Sequence, residues 1–238
     1  MAQVKAWFKS GDRHACRLKL AGSLLLCFLF FGACLPGEEK RENLVNVRSF
    51  AVESTGSELP EFYLKTESGY ELLTISSRQP GNRVEGVSGD PLQLYRKSEG
   101  PGGEDLFEPI DAVPLKDHGK SVLLLVWHTE KGIRYQPVRD YADSGNSRDW
   151  LIINTTSKSI AFQVGTETDP LSLDPGSHRL CDFDRLKRSA AVRAHTKEEE
   201  ENKAFYSTYW PIPEKERLIV IFVEANDRIQ VHRIFDSP

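Results

Sequence analysis

Outside its first 34 residues this 238-residue sequence holds one cysteine, Cys181. That excludes a disulfide framework from the body, and no two of the four cysteines have the close spacing of a thiolate zinc site. Catalytic signatures are missing too. No Gly-x-Ser-x-Gly occurs, no Ser-x-x-Lys opens a helix, and no cysteine has a protease-like context. The glycine-rich stretches Gly81 to Gly89 and Gly100 to Gly103 lack the lysine and the strand-to-helix setting of a phosphate loop, and read as linkers. Excess positive charge is absent from the body. Lys5, Lys9, Arg13, Arg17 and Lys19 face only Asp12 before Cys34, a net of +4, so the total of −4 leaves −8 for the remainder. An acidic body is a poor binder of polyanions, which argues against nucleic acid as a partner. Helical signals are few. Beyond residue 34 only a short stretch, Asp182 to Ala191, reads as a helix.

What the sequence does contain is short apolar runs closed by turn formers. The segment from Asp149 to Leu180 shows this most clearly. Trp150 to Ile153 is an apolar run, Asn154 to Ser159 are turn formers, and Ile160, Phe162 and Val164 then take alternate places up to Gly165. This predicts a β-hairpin. A third run, Leu171 to Leu173, stops at Asp174-Pro175-Gly176, where proline presets φ and glycine permits a positive one. Strand-length runs also occur at Phe62 to Leu64, Tyr70 to Ile75, Pro91 to Tyr95, Ile133 to Val138, Ala190 to His195 and Ala204 to Tyr209. Leu218 to Val223 and Ile229 to Phe235 form a closing hairpin around Glu224 to Asp227. Ser121 to His128 is continuously apolar, as expected of a strand covered on both faces.

About eleven strands with regular turn signals predict an all-β, antiparallel β-sandwich in two small halves. The divisions read from the sequence are 1–34, a signal or anchor segment; 35–58, a linker; 59–140, the first half; and 149–238, the second. The polar stretch Tyr141 to Arg148 separates the halves. The pattern from Leu151 to Leu180 resembles small immunoglobulin-like modules of exported bacterial proteins. That resemblance covers about a third of the chain and implies that the two halves are immunoglobulin-like and that the chain is exported, with no activity attached.

The N-terminal segment has the three parts of a secretory signal: a basic region, the apolar core Leu20 to Phe31, expected to be helical, and the small pair Gly32-Ala33 before Cys34. At ~1.5 Å per helical residue this core falls short of a ~30 Å hydrocarbon layer. Phe31-Gly32-Ala33-Cys34 resembles the lipobox of bacterial lipoproteins, departing from it in having phenylalanine where leucine is usual. The resemblance implies lipidation of Cys34 and membrane association; cleavage without lipidation, or a retained anchor, are the alternatives. Pro36-Gly37 and the charged run Glu38 to Glu42 then read as a solvated tether.

Candidate site residues are few. His128 and Glu130 lie two apart at a strand end, so both are expected on one face, where they could offer a nitrogen and an oxygen to a metal. Two ligands do not make a site, and His118, His178, His195 and His232 fall on separate elements. A secreted hydrolase or metal-dependent enzyme assembled from His128, Glu130 and His178 is the alternative reading. Cys181, beside Asp182 and Asp184, is expected to be an idle thiol with a raised pKa. In the run Phe205 to Trp210, Tyr206, Thr208 and Trp210 share one strand face and form a candidate ligand surface, suited to a glycan or a partner strand. No cofactor is implied. The expected function is a non-enzymatic binding or structural role in the cell envelope, with the membrane, and an envelope protein or glycan, as partners.

Overall fold

Polar turns recur every few residues, and the chain answers them with strands. The computed structural model describes residues 44–52, 59–116, 118–144, 149–166, 168–182, 189–197, 204–213, 216–225 and 228–237. The expected apolar helix at the N-terminus, with Cys34, lies outside them.

Among the described residues, eight strands build the first half: β1 (Leu44–Ala51), β2 (Phe62–Thr66), β3 (Gly69–Leu73), β4 (Val84–Ser88), β5 (Leu92–Glu99), β6 (Asp105–Val113), β7 (Ser121–Thr129) and β8 (Gly132–Arg139). A 3-10 turn at Ala142–Ser144 leads into the second half, formed by β9 (Asp149–Asn154), β10 (Ile160–Val164), β11 (Leu171–Leu173), β12 (His178–Asp182), β13 (Ser189–Thr196), β14 (Tyr206–Pro211), β15 (Arg217–Ala225) and β16 (Arg228–Asp236). Each half has an inner and an outer four-stranded sheet. The first inner sheet runs β4-β1-β7-β8 and the first outer sheet β3-β2-β5-β6. The second inner sheet runs β12-β9-β15-β16 and the second outer sheet β11-β10-β13-β14.

Strand for strand, the two halves share one topology. In each, the first strand pairs in parallel with the seventh, and every other pairing is antiparallel. The closing hairpins also share their register: Val122 faces Arg139 in the first half as Leu218 faces Phe235 in the second. The protein is therefore an internal structural duplication, two halves of one topology.

Three apolar cores separate four layers. Val47, Leu64, Leu94, Val122 and Leu124 fill the space between the first outer and inner sheets. Trp150, Phe162, Val192, Trp210 and Phe222 do the same in the second half. Between the two inner sheets lie Phe50, Leu123, Leu125, Leu151, Ile153, Ile219 and Ile221. This explains the continuous apolar runs. Val122, Leu124 and Val126 of β7 face their own half, while Leu123 and Leu125 face the other half, so both faces are dry. β15 repeats the arrangement with Leu218, Val220 and Phe222 against Ile219, Ile221 and Val223.

Four sequence expectations are corrected. The stretch 35–58, read as a linker, contains β1, which pairs with β7 at the centre of the first inner sheet. Arg48 interrupted its apolar pattern. Gly81 to Gly89, also read as linker, contains β4, and a Cβ on Gly81 would collide with the Thr74 carbonyl where the loop crosses β1. Asp182 ends β12 and Ser189 begins β13, so the ends of the expected helix are strand; residues 183–188 lie outside the described set. Finally, β9 and β10 do not form a hairpin. β9 pairs with β12 and β15, whereas β10 pairs with β11 and β13 in the other sheet. Asn154 makes this crossing possible. Its side-chain amide donates to the Lys158, Leu173 and Asp174 carbonyls, and its oxygen accepts from Thr156, so the buried turn between layers is hydrogen-bonded.

Candidate binding cleft between the two halves

β7 and β15 both run from one end of the inter-half layer to the other, and the two ends are built differently. At the end where they start, four charged side chains are buried together. Arg48 donates to Asp140 at 2.7 and 3.2 Å and to Asp236 at 2.9 and 2.8 Å. Arg217 donates to Asp140 at 2.8 Å and to Asp236 through both Nε and Nη2. Asp140 and Asp236 hold the same position in the duplicated hairpins, since Asp140 N–H bonds Ser121 O just as Asp236 pairs with Arg217. Burial alone would raise both carboxyls, but the hydrogen bonds from Arg48 and the charges of both arginines outweigh it, and they lie below the ordinary carboxylate value.

Where β7 and β15 end, the layer opens into a cleft of about 910 Å³. The first half supplies Trp127, Thr129, Glu130, Lys131, Arg134 and Gln136 from the β7–β8 hairpin. Trp127 and Arg134 face each other across the two strands, and a two-residue turn with Gly132 at φ 111° brings Glu130 and Lys131 to the rim. From the second half come Thr155 to Ser157, Pro175, Gly176, Val223 and Glu224. These walls are braced. Ser157 Oγ donates to Glu224 at 2.8 Å, Thr155 Oγ1 donates to Phe222 O at 2.7 Å, and Gln136 Nε2 spans the halves to Gly176 O at 3.0 Å. The Trp127 indole packs against the inter-half core, and two carboxylates, Glu130 and Glu224, and two cations, Lys131 and Arg134, line the same cleft.

Compared with models of known protein families and with curated proteins, the chain matches none.

Of the residues singled out in the sequence, Glu130 lines the cleft and His128 does not. The strand pleat puts His128 on the opposite face of β7 from Trp127 and Thr129, so the expected shared face is lost where the strand passes into its turn. His178 instead meets His118 of the first half, ring centroids 6.0 Å apart. Burial, then His118, Arg179 and Arg139, lower the His178 pKa to about 4, so the imidazole is neutral at ordinary pH. His128, Glu130 and His178 thus form no common constellation. Among the described residues no group of three His, Cys, Asp or Glu side chains is placed to hold a metal ion.

The Cys181 thiol is half-buried, and burial is the main cause that pushes its pKa up to about 11, which disfavours the thiolate. Asp149, in the adjacent strand, adds to the effect; Asp184, also singled out in the sequence, lies outside the described residues. The candidate surface Tyr206, Thr208 and Trp210 is also corrected. Trp210 is 1% exposed, lies 5.7 Å from Trp150, and donates its Nε1–H to Tyr206 Oη at 2.9 Å, while Thr208 pairs with the core residue Val192. That face of β14 is core. The opposite face shows Tyr209, 75% exposed, to solvent. Sequence reasoning missed Trp127, Arg134, Gln136, Ser157 and Glu224. The one available signal was a tryptophan closing an otherwise aliphatic run.

Proposed function

We propose that this chain is an exported, envelope-associated protein, held at the membrane by its N-terminal segment, and that its paired sandwiches act as a non-enzymatic binding module with the inter-half cleft as the site. The observation that carries the binding role is the cleft's construction: both halves contribute to it, its walls are braced by hydrogen bonds, and an indole lines it together with charged side chains of both signs. The compartment rests on the basic, apolar and small-residue order before Cys34 and on its resemblance to a lipobox. Pairing Arg48, Asp140, Arg217 and Asp236 across the halves suits a scaffold that presents a fixed shape.

Cys34→Ala tests the anchoring. A covalently attached acyl chain contributes ~0.8 kcal/mol per buried methylene, so the variant should pass from the membrane to the soluble fraction. Unchanged fractionation, with no lipid mass on the mature N-terminus, contradicts the lipoprotein form of this reading.

A further inference from the structure

We propose that the inter-half cleft takes a neutral oligosaccharide, with Trp127 as the ring on which a sugar stacks. This rests on the reading of the cleft as a binding site and adds the class of ligand. Four features carry it. The charges lining the cleft cancel, Glu130 and Glu224 against Lys131 and Arg134, so the site has no net attraction for a charged polymer. Its polar groups include the planar Glu130 carboxylate and Arg134 guanidinium, which can each meet a pair of neighbouring hydroxyls with two hydrogen bonds, while Gln136 and Glu224 brace the walls. Donors and acceptors both occur, matching hydroxyl groups that are donor and acceptor at once. Arg134 stands directly across from Trp127, so a sugar lying on the indole would have a guanidinium at its edge.

An extended peptide is matched less well. Strand addition draws its affinity from main-chain hydrogen bonds to a sheet edge and its specificity from a row of pockets for alternate side chains. Here the apolar lining is Trp127 with Pro175, Tyr135 and the buried Val223, and Tyr135 also packs edge-on against Phe62. The volume of about 910 Å³ lies near the top of the ~300–1,000 Å³ range of ligand sites and leaves room for several sugar rings.

Calorimetric titration of the full chain, in a non-glycosidic detergent, would use chitohexaose, maltohexaose and cellohexaose as neutral probes, hexagalacturonate as an anionic probe and a proline-rich dodecapeptide. At least one neutral hexasaccharide should bind with Kd below about 1 mM. Trp127→Ala should weaken it tenfold or more. Arg134→Ala, at an exposed position outside the core, should weaken it at least threefold and guards against a misfolded tryptophan variant. Tyr209→Ala, on the far outer sheet, should leave it unchanged. Binding of the peptide or of hexagalacturonate alone, lost in Trp127→Ala, overturns the neutral sugar and keeps the cleft as a binding site. Sugar binding that survives both Trp127→Ala and Arg134→Ala overturns the cleft itself, and no binding by any neutral probe overturns the proposal.

Discussion

Charged side chains removed from water must find their opposites nearby, and Arg48, Asp140, Arg217 and Asp236 do so across the boundary between the halves. Removing one partner leaves a buried charge uncompensated, which costs far more than the pair gains. Asp236→Ala should therefore destabilise the protein by about 3–5 kcal/mol in chemical denaturation; a loss below ~1 kcal/mol would mean that the cluster is solvated. A second residue effect concerns acid. The folded His178 pKa of about 4 lies below its ordinary 6.5, so between those values the unfolded chain takes up a proton that the folded protein resists. Stability is full above pH ~6.5 and falls as pH drops toward 4. The aspartates, held below their ordinary value, give a separate loss that begins lower, as pH falls through their folded pKa values. The urea midpoint should be lower at pH 5 than at pH 7.5, and His178→Gln should shrink that difference. An unchanged pH dependence would place the acid sensitivity elsewhere.

At the scale of elements, legibility followed the simplicity of each strand's surroundings. β7 and β15 were plain in the sequence because both faces of each are apolar, giving unbroken runs. The closing hairpin β15–β16 was plain because its turn chemistry and its alternation agree. β1 was hidden for the opposite reason. Its inter-half face carries Arg48, whose counter-charges lie 92 and 188 residues away, and no local pattern can announce them. β9 misled because turn formers after a strand look the same whether the chain reverses within one sheet or crosses to another. Asn154 and Thr156 decide that by bonding across the layers. On β14 the alternation was right and the choice of face was wrong: only the partner Val192 shows which side is core. The cleft was not legible, because its residues come from the β7–β8 hairpin and from three separate stretches of the second half.

For the whole molecule, the duplication matters more than either half alone. Two sandwiches of one topology are joined through their inner sheets by an apolar layer that includes Leu123, Leu125, Ile219 and Ile221, closed at one end by the charge cluster and opening at the other into the cleft. Neither half would keep its inner sheet covered without the other, since burying such a face contributes roughly 25 cal/mol per Å² of apolar surface. The halves should accordingly fold as one cooperative body, and the cleft should keep its shape for as long as the body is folded. Scanning calorimetry of the chain tests this most directly. A single transition whose calorimetric and van't Hoff enthalpies agree is the predicted result; two resolved transitions, each with the enthalpy of about one half, would show that the sandwiches are independent and that the cleft between them is not a fixed site.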